Sequence, residues 1–461
     1  MIKFGTDGWR AVIAREFTFD NVAIVAQAVA DYIKKNKGKR AVVGYDARFL
    51  SREFALTCAQ VLAGNKIKAI VSQICIPTPV VSFNNRYKKF DLGIMITASH
   101  NPGQFNGIKL KTPDGGAADK TITDQVEKLL YKRKPKLLDL ETAQKKKLLT
   151  IKDITADNKK FLEKFVNIKK IRKLKLRILM DLMHGSGGKF AEEIISSKTV
   201  KFDYLRSEFN PSFGGGHPEP VAKNLATLIK KVKKEKYDLG VALDGDADRI
   251  ALVDSKGNYV DAQEILPLLA LHMVKNRGES SGIGKTVVGS DLIDKVAAAL
   301  GVGCFETKVG FKYISSLFKE KLISIGGEEA GGIGYKGYIP ERDGSASLLM
   351  VLEMMAYEKK SFDRLLREMR KTYGRRYYAR ISVSLGSLKK GLNKLKLPET
   401  LLGKKVERIN RMDGIKLITR DSWLIFRKSG TEAIVRVYAE AGTLKERDNL
   451  IALGKRMIDA L

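Results

Sequence analysis

A strand–helix–strand pattern occurs three times along this sequence, and this repeat restricts the fold more than any other feature. The first copy comprises an apolar strand at 40–46, an amphipathic helix from about 51 to 64 and a second strand at 68–72. The second and third copies begin with apolar strands at 176–181 and 286–291. Short apolar strands that alternate with helices favour α/β layers with largely parallel sheets. Such sheets bind ligands at the carboxyl ends of their strands, where polar loops follow here.

The length of the chain and its basic, loosely patterned stretches predict four domains. A chain of 461 residues exceeds one ordinary hydrophobic core. We expect α/β domains at residues 1–140, 141–254 and 255–372. Apolar and polar residues alternate from 373 to 461 before a final helix, which predicts an α+β domain distinct from the three repeats.

The composition restricts where the protein works. Hydrophobic residues make up 44% of the chain, no apolar run reaches the length of a membrane span, and residues 1–7 lack the apolar stretch of a signal peptide. The three cysteines, Cys58, Cys75 and Cys304, form neither a disulfide framework nor a metal-ligand spacing. We therefore expect a soluble, cytoplasmic protein without a membrane partner.

The charge of the chain is strongly positive, with 84 basic against 52 acidic residues and a net charge of +32. Such a balance is compatible with nucleic-acid binding or with the attraction of an anionic substrate. The lysines are scattered, and neither a zinc-finger spacing nor an aromatic RNA-binding strand accompanies them. These observations favour a phosphorylated small molecule as the partner and predict no specific nucleic acid.

A polar loop at 97–103 lies between two predicted strands, at 92–96 and 106–111. Ser99 lies at its tip, where a serine either completes a turn or serves as a phosphorylatable nucleophile. His100 and Lys109 are near enough in the sequence to orient charge or to move protons. The loop alone favours the simple turn, but the other motifs favour the nucleophile.

Three carboxylates, Asp244, Asp246 and Asp248, alternate in a loop between two apolar strands, and Arg249 follows them. Carboxylates this close repel one another unless a cation neutralises their charge. Hard oxygen ligands that leave positions open for a phosphate oxygen suit Mg²⁺. This loop therefore predicts a magnesium site.

Three further loops carry weaker signals. The glycine-flanked acidic loop at 326–332 contains Glu328, whose carboxylate can accept hydrogen bonds from sugar hydroxyls. The loop at 427–432 combines Arg427 with two hydroxyls and a glycine, so it forms either a phosphate cradle or a polar hairpin turn. The turn at 6–10 presents Arg10 in a similar way.

In this order the segments resemble the α-D-phosphohexomutases, the family of the phosphoglucomutases and phosphomannomutases. The matching segments span the chain: residues 6–10, 97–102, 244–249, 327–331 and 427–431. The resemblance implies an α/β fold in which three related mixed-sheet domains and a C-terminal α+β domain surround a central cleft. It also implies an intramolecular phosphotransferase that interconverts hexose 1-phosphate and hexose 6-phosphate, with glucose, mannose or both as the sugar.

The resemblance assigns a role to each matching residue. Ser99 is expected to carry a phosphate and to donate it to a sugar hydroxyl, after which the bisphosphate turns over and returns its other phosphate. The implied Mg²⁺ ligands are an oxygen on Ser99 and the carboxylates of Asp244, Asp246 and Asp248. The residues that assist proton transfer, stabilise charge or orient the metal loop are Arg10, His100, Lys109 and Arg249. The substrate contacts are Lys308, Gly310, Glu328, Ala330, Arg427, Ser429, Gly430 and Thr431. A hexose bisphosphate, such as glucose 1,6-bisphosphate, is the implied activator.

The chain departs from the family pattern at a few positions. Ala330 replaces a usual serine, Ala433 replaces a usual proline, and Gly332 stands where some members carry a histidine thought to be a base. The identity of the general base therefore stays open, and Lys109 becomes a stronger candidate for that role. Glu329 stands where phosphoglucosamine mutases commonly carry glutamine, and those enzymes remain the main alternative. An inactive, basic nucleic-acid-binding scaffold is a remote alternative. We expect an active enzyme that is a monomer or a weak dimer.

Overall fold

The computed structural model describes residues 2–5, 7–384, 392–428 and 434–461. Three mixed sheets with helices follow one another along the chain, and an antiparallel sheet with one long helix ends it. The predicted fold class is confirmed.

The first unit contains the serine loop. Its strands are β1 (Trp9–Val12), β2 (Arg40–Tyr45), β3 (Lys68–Ser72), β4 (Leu92–Ile96), β5 (Phe105–Lys111) and β6 (Leu149–Lys152), and its helices are α1 (Phe19–Lys35), α2 (Ser51–Gly64), α3 (Thr78–Tyr87), α4 (Lys120–Leu129) and α5 (Leu140–Lys145). The sheet order is β1-β5-β4-β2-β3-β6, in which β4, β2, β3 and β6 are parallel and β5 runs antiparallel between β4 and β1. Every residue of β4 is buried, as expected for a strand whose sequence is continuously apolar.

The second unit contains the aspartate loop. Its strands are β7 (Leu176–Asp181), β8 (Val200–Leu205), β9 (Leu239–Leu243), β10 (Ile250–Asp254) and β11 (Tyr259–Val260), and its helices are α6 (Ala156–Phe165), α7 (Ile168–Ile171), α8 (Phe190–Ile195) and α9 (Ala226–Lys234). The order is β11-β10-β9-β7-β8, with β7 parallel to β8 and β9 and the other pairs antiparallel. Strands β6 and β11 lie past the predicted boundaries at 140 and 254 but pair with β3 and β10. We therefore propose limits near 152 and 260 for the first two units.

The third unit contains the acidic loop. Its strands are β12 (Gly282–Thr286), β13 (Cys304–Thr307), β14 (Ile323–Gly327) and β15 (Ile333–Tyr335), and its helices are α10 (Ala262–Lys275), α11 (Asp291–Leu300), α12 (Phe311–Lys319), α13 (Gly344–Glu358) and α14 (Phe362–Tyr373). The order is β13-β12-β14-β15, and only the β14–β15 pair is antiparallel.

The prediction of a strand at 286–291 is wrong, because the observed strand β12 ends at Thr286 and the chain then leaves the sheet. Ser290 caps α11 by accepting a hydrogen bond from the backbone N–H of Leu292, so residues 287–290 form the turn into that helix. Val287 and Val288 are buried against the C-terminal unit instead of within the sheet. The true strand contains two glycines and a lysine, which hide it from an apolar pattern.

The C-terminal unit is an antiparallel sheet. Its strands are β16 (Tyr377–Ser384), β17 (Thr400–Leu401), β18 (Lys404–Lys405), β19 (Arg408–Asn410), β20 (Ile415–Ile418), β21 (Trp423–Lys428) and β22 (Ile434–Ala441), and its helix is α15 (Leu444–Asp459). The main sheet has the order β16-β22-β21-β20-β19, and β17 and β18 form a two-stranded sheet. More exposed residues alternate with less exposed ones along β16 and at the start of β22, as the sequence predicts for a sheet with one solvated face.

Several clusters of buried side chains form the hydrophobic core, and one of them, between Ile2 and Leu149, lies within the first unit. One continuous cluster of buried side chains runs from Val42 to Met369 and joins the first three units. The C-terminal unit has a cluster of its own, between Leu395 and Ile458. None of the described helices combines the length and the apolar character needed to cross a bilayer.

Candidate active site

Ser99 follows β4 at the carboxyl end of the parallel part of the first sheet. Its side chain is buried, and its φ of 53° lies in the left-handed region that residues other than glycine rarely adopt. Its backbone N–H donates to Thr97 Oγ1 at 2.8 Å, and that hydroxyl donates to Asp46 Oδ2 at 2.6 Å. Backbone strain of this kind persists where the surroundings enforce it, and it concentrates at functional sites.

The buried guanidinium of Arg48 enforces the shape of the serine loop. Its NH2 donates to the carbonyls of Ser99 and Asn101 at 2.6 and 2.7 Å, and its NH1 donates to two further loop carbonyls. Its Nε pairs with Asp46 at 3.0 Å, and the ring of Phe213 lies 4.8 Å from the guanidinium carbon. Arg48 thus organises the backbone that presents Ser99, although sequence analysis did not identify it.

The Ser99 hydroxyl points at the aspartate loop. Its Oγ donates to Asp244 Oδ2 at 3.0 Å, and His100 Nδ1 lies 3.5 Å from the same oxygen of Ser99. Burial and the nearby cations, Arg249 first among them, hold the pKa of His100 well below its usual range. The imidazole of His100 is therefore neutral, so it does not form an ion pair with Asp244.

The aspartate loop follows β9 and brings its three predicted carboxylates together. Asp244, Asp246 and Asp248 are fully buried, and one ligand oxygen from each lies within 4.8 Å of the others. Ala247 between them has a φ of 55°, a second left-handed conformation at the site. Thr78, at the start of α3, donates from Oγ1 to Asp246 Oδ2 at 2.5 Å and so anchors the loop.

The carboxylate cluster fits a divalent cation. Oδ1 of Asp246 and Oδ1 of Asp248 are buried and receive no hydrogen bond from any described residue. Burial, followed by the charges of Asp248 and Asp246, raises the pKa of Asp244 well above its usual value. A hard cation would satisfy the orphaned oxygens and offset the repulsion, and the all-oxygen donor set suits Mg²⁺.

Lys109 on β5 partly balances this charge. Its Nζ lies 2.8 Å from Asp246, 3.1 Å from Asp248 and 2.9 Å from Asp7. Burial opposes charge on the amine, but these three carboxylates raise its pKa above the ordinary value. Lys109 is therefore a cation here, which favours charge stabilisation over proton acceptance, the two roles that the sequence left open.

Arg342 is a central residue that sequence analysis missed. It precedes α13 and contacts one carboxylate from each of three units: Asp7 at 2.6 Å, Asp248 at 2.8 Å and Glu328 at 2.8 Å. Its side chain is buried. One feature of the sequence points to Arg342: the triplet Glu-Arg-Asp at 341–343 lies just before a strongly apolar helix. Charged side chains buried beside such a helix require partners of opposite charge.

Two of the predicted arginines, Arg10 and Arg249, also lie at this cluster. Arg10 on β1 donates from NH1 to Asn101 Oδ1 at 2.9 Å and lies 3.5 Å from Asp7. Arg249 places Nε 3.8 Å from both Asp244 and Asp248, and this buried Nε makes no hydrogen bond to a described residue. Both arginines therefore border the region in front of Ser99.

The acidic loop turns tightly after β14. Gly331 has a φ of +99°, and a Cβ there would lie 2.5 Å from the carbonyl oxygen of Ile250, so only glycine fits. Glu328 is buried and engaged with Arg342, whereas Glu329 and Ala330 are more exposed. Glu329 Oε2 accepts a hydrogen bond from Thr286 at 3.3 Å. The loop thus reaches from the carboxylate cluster to the end of β12.

Lys308, Gly310 and Arg427 on β21 form a second group of predicted contacts. Asp413 pairs with Arg427 at 2.7 Å and accepts a hydrogen bond from the backbone of Val309 at 2.9 Å. Val309 lies between the predicted residues Lys308 and Gly310, so these two residues are brought to Arg427. Thr6, Ala433 and the predicted phosphate contacts Ser429, Gly430 and Thr431 lie outside the described residues.

Three sequence models of one protein family match the chain. They describe alpha/beta/alpha domains I, II and III of phosphoglucomutase/phosphomannomutase, and they match residues 1–136, 159–257 and 261–373.

Individual relatives match over nearly the full length. The phosphoglucomutase/phosphomannomutase of Thermococcus kodakarensis is 28% identical over 99% of this chain and 98% of its own. The phosphoglucosamine/phosphogalactosamine mutase of Sulfurisphaera tokodaii is 28% identical and covers 99% of both chains. The crystal structure of a Thermus thermophilus protein, provisionally described as a phosphomannomutase, superposes with a TM-score of 0.89 at 30% identity over 99% of both chains.

Proposed function

This chain is a phosphohexomutase of the phosphoglucomutase/phosphomannomutase family, and from that premise we propose that its substrates are the 1- and 6-phosphates of glucose, mannose or both. The observation that carries the proposal is the buried Ser99 hydroxyl, 3.0 Å from a carboxylate of the aspartate cluster. A hydroxyl in that position can hold a phosphoryl group against a metal and release it to a substrate.

The proposed cycle has two phosphoryl transfers. In the first, the bond between Ser99 Oγ and phosphorus breaks as a sugar hydroxyl forms a bond to phosphorus; the sugar hydroxyl loses its proton, and Ser99 Oγ gains one. The resulting hexose bisphosphate turns over, and its other phosphate returns to Ser99, whose hydroxyl loses its proton as the sugar oxygen that the phosphate leaves gains one. A catalytic amount of glucose 1,6-bisphosphate would restore any enzyme that has lost its phosphate.

The residues around Ser99 have distinct proposed roles. Asp244, Asp246 and Asp248 would hold Mg²⁺, which when bound supplies positive charge that offsets the charge on the transferring group. Lys109 remains protonated and stabilises negative charge on the phosphoryl oxygens. Arg10, His100 and Arg249 are the further groups bordering the serine.

The proposed substrate contacts come from the last two units. Glu328 and Ala330 lie in the acidic loop, which we assign to the sugar ring. Lys308 and Gly310 belong to the neighbouring loop. The phosphate distant from Ser99 is assigned to Arg427 together with Ser429, Gly430 and Thr431.

Phosphoglucosamine mutase is the second candidate function. It is favoured by the relative from Sulfurisphaera tokodaii, which is as similar to this chain as the relative from Thermococcus kodakarensis. The partly exposed carboxylate of Glu329 can accept hydrogen bonds from hydroxyls but also suits the ammonium of an amino sugar. Neutral hexoses remain the first candidate, because Glu329 replaces the glutamine common in phosphoglucosamine mutases.

A parallel assay tests the proposal. Purified enzyme with Mg²⁺ and a catalytic amount of glucose 1,6-bisphosphate is offered glucose 1-phosphate, mannose 1-phosphate and glucosamine 1-phosphate, and formation of each 6-phosphate is followed. We expect turnover of glucose 1-phosphate, mannose 1-phosphate or both to exceed that of glucosamine 1-phosphate. Exclusive turnover of glucosamine 1-phosphate would contradict the choice of sugar, and silence on all three would contradict the function.

The same proposal includes a cytoplasmic enzyme that acts as a monomer or weak dimer on a small hexose phosphate, without a specific nucleic-acid partner. The scattered, unpaired cysteines and the absence of a nucleic-acid motif support it.

A further inference from the structure

Asp413 uses a single carboxylate oxygen to join two units of the molecule. It lies in the turn between β19 and β20, and its Oδ2 accepts hydrogen bonds from Arg427 Nε at 3.0 Å and Arg427 NH2 at 2.7 Å. The same oxygen accepts the backbone N–H of Val309, in the loop between β13 and α12, at 2.9 Å. One side chain therefore ties a loop of the third unit to an arginine of the C-terminal unit.

The turn that carries Asp413 is built to reach Arg427. Gly414 has a φ of +102°, and a Cβ on it would lie 2.2 Å from the carbonyl oxygen of Phe426 and 3.0 Å from Arg427 Cγ. Only glycine permits so close an approach between this turn and β21. The position of Asp413 is thus set by the backbone and does not depend on the arginine alone.

The contacts of Arg427 leave one edge of its guanidinium for an anion. Of its five N–H donors, Nε and one on NH2 face Asp413, and NH1 lies 3.3 Å from the hydroxyl of Tyr438. Among contacts with described residues, one donor on each terminal nitrogen remains. That pair is the arrangement that binds two oxygens of a phosphate side by side.

We propose that Asp413 is a positioning residue that orients Arg427 toward the substrate's non-reacting phosphate and holds the loop at Lys308–Gly310 in register with it. The inference rests on the proposed function, because it assigns that phosphate to Arg427. Fixing both groups in advance removes part of the ordering cost of binding. Asp413 itself touches no substrate in this role.

The interface between the two units does not depend on Asp413. Lys416 Nζ donates to the carbonyl of Val287 at 2.7 Å, and Asn410 donates to Glu306 at 2.6 Å. Beside them, Val287 and Val288 pack with Trp423 in an apolar cluster of the same interface. Loss of the Asp413 carboxylate should therefore change the orientation of Arg427 while the two units stay docked.

The experiment compares Asp413→Ala and the isosteric Asp413→Asn with the matched control Asp421→Ala. Asp421 lies on the same unit and pairs at the surface with Lys404 at 2.8 Å. We expect Asp413→Ala to raise KM for the hexose 1-phosphate at least about tenfold with a smaller change in kcat, and Asp413→Asn to fall between it and the parent. Asp421→Ala should match the parent, and all three variants should unfold at similar urea concentrations.

A double-mutant cycle with Arg427→Ala separates positioning from general structural damage. If Asp413 acts through Arg427, Asp413→Ala adds little to the KM of the Arg427→Ala enzyme. An unchanged KM in Asp413→Ala, or equal effects with and without Arg427, would overturn the inference while leaving the mutase activity in place. Calorimetric titration of glucose 1,6-bisphosphate into Ser99→Ala protein reads the same coupling without turnover. A parent enzyme with neither turnover nor binding would overturn the proposed function and this inference together.

Discussion

Two residues with left-handed backbone angles, Ser99 and Ala247, lie at the centre of the site, each in a loop that follows a buried strand. Their conformations turn the Ser99 hydroxyl and the flanking aspartates toward one another. Neither conformation is encoded by a glycine, so the surrounding contacts must enforce them. The sequence identified Ser99 and the three aspartates because a motif displays them, but it did not display Arg48 or Arg342, whose partners are distant in the chain.

Replacing Ser99 by alanine should remove catalysis without affecting the fold. The hydroxyl donates one hydrogen bond, to Asp244, and alanine fits the same space. We expect turnover to fall by at least about a thousandfold, as for loss of a covalent nucleophile, with an unchanged urea midpoint. Turnover of Ser99→Ala near that of the parent enzyme would exclude Ser99 as the phosphoryl donor.

Replacing Arg48 by lysine should damage both stability and activity. Lysine keeps a charge near Asp46 but cannot reach the loop carbonyls that the guanidinium binds, and each unsatisfied buried group costs about 1–3 kcal/mol. We expect the free energy of unfolding to fall by roughly 2 kcal/mol or more and turnover to fall with it. Arg177→Lys is the control, since Arg177 lies at the surface with about half of its side chain exposed. Equal stability of the two variants would contradict the role of Arg48.

At the scale of elements, the sequence predicted strands best where they are continuously apolar. The strand predicted at 68–72 is β3 as observed, and that at 176–181 is β7. The prediction failed at β12, where a strand of glycines and a buried lysine precedes an apolar turn. A hydrophobic pattern recognises a strand by its apolar side chains. It therefore misses a strand such as β12, which buries glycine backbone and a lysine side chain.

Helix α10 carries an unfavourable charge at its N-cap. Asp261 caps the helix by accepting the backbone N–H of Gln263, but burial and then the neighbouring Glu264 raise its pKa to about 7. The folded protein therefore binds a proton at a pH where the unfolded chain does not. Asp261 therefore lowers the free energy of unfolding most above pH 7, where it is ionised. This loss of stability becomes smaller as the pH falls toward the ordinary pKa of an aspartate, about 3.9.

Asp261→Asn should therefore stabilise the protein in a pH-dependent manner. Asparagine keeps the capping oxygen and removes the charge. We expect the free energy of unfolding in urea to exceed that of the parent at pH 8 and the difference to shrink at pH 5. A difference that is constant across this range, or that grows at pH 5, would contradict the assigned pKa.

At the scale of the whole molecule, the hydrophobic core falls into several clusters of buried side chains. The most extensive joins the first three units, another lies within the first unit, and the C-terminal unit has a cluster of its own. The sequence predicted four domains but not this grouping, because the grouping depends on which helix faces pack together. Helices α6, α10 and α13 supply those faces, and α13 is apolar almost all round.

The two tryptophans lie in different clusters of buried side chains. Trp9 packs on Phe17 in the first unit, with ring centroids 4.9 Å apart, and Trp423 packs with Val287 and Val288 where the C-terminal unit meets the third unit. We expect the fluorescence of the Trp9→Phe variant, which retains Trp423, to change at lower urea than that of Trp423→Phe, which retains Trp9. Circular dichroism of both variants controls for altered stability. Coincident fluorescence transitions would show that the C-terminal unit shares the stability of the rest.

The separate core of the C-terminal unit has a consequence for the proposed cycle, in which the bisphosphate must be released from its first orientation without leaving the enzyme. The residues proposed for phosphoryl transfer lie in the first two units, whereas Arg427 belongs to the C-terminal unit, which has a hydrophobic cluster of its own. If Arg427 holds the bisphosphate as proposed, that hold can loosen without disturbing the alignment of Ser99 with its aspartates. In such an enzyme, affinity for the intermediate and speed of the chemical step are separately adjustable, and substitutions selected for one need not compromise the other.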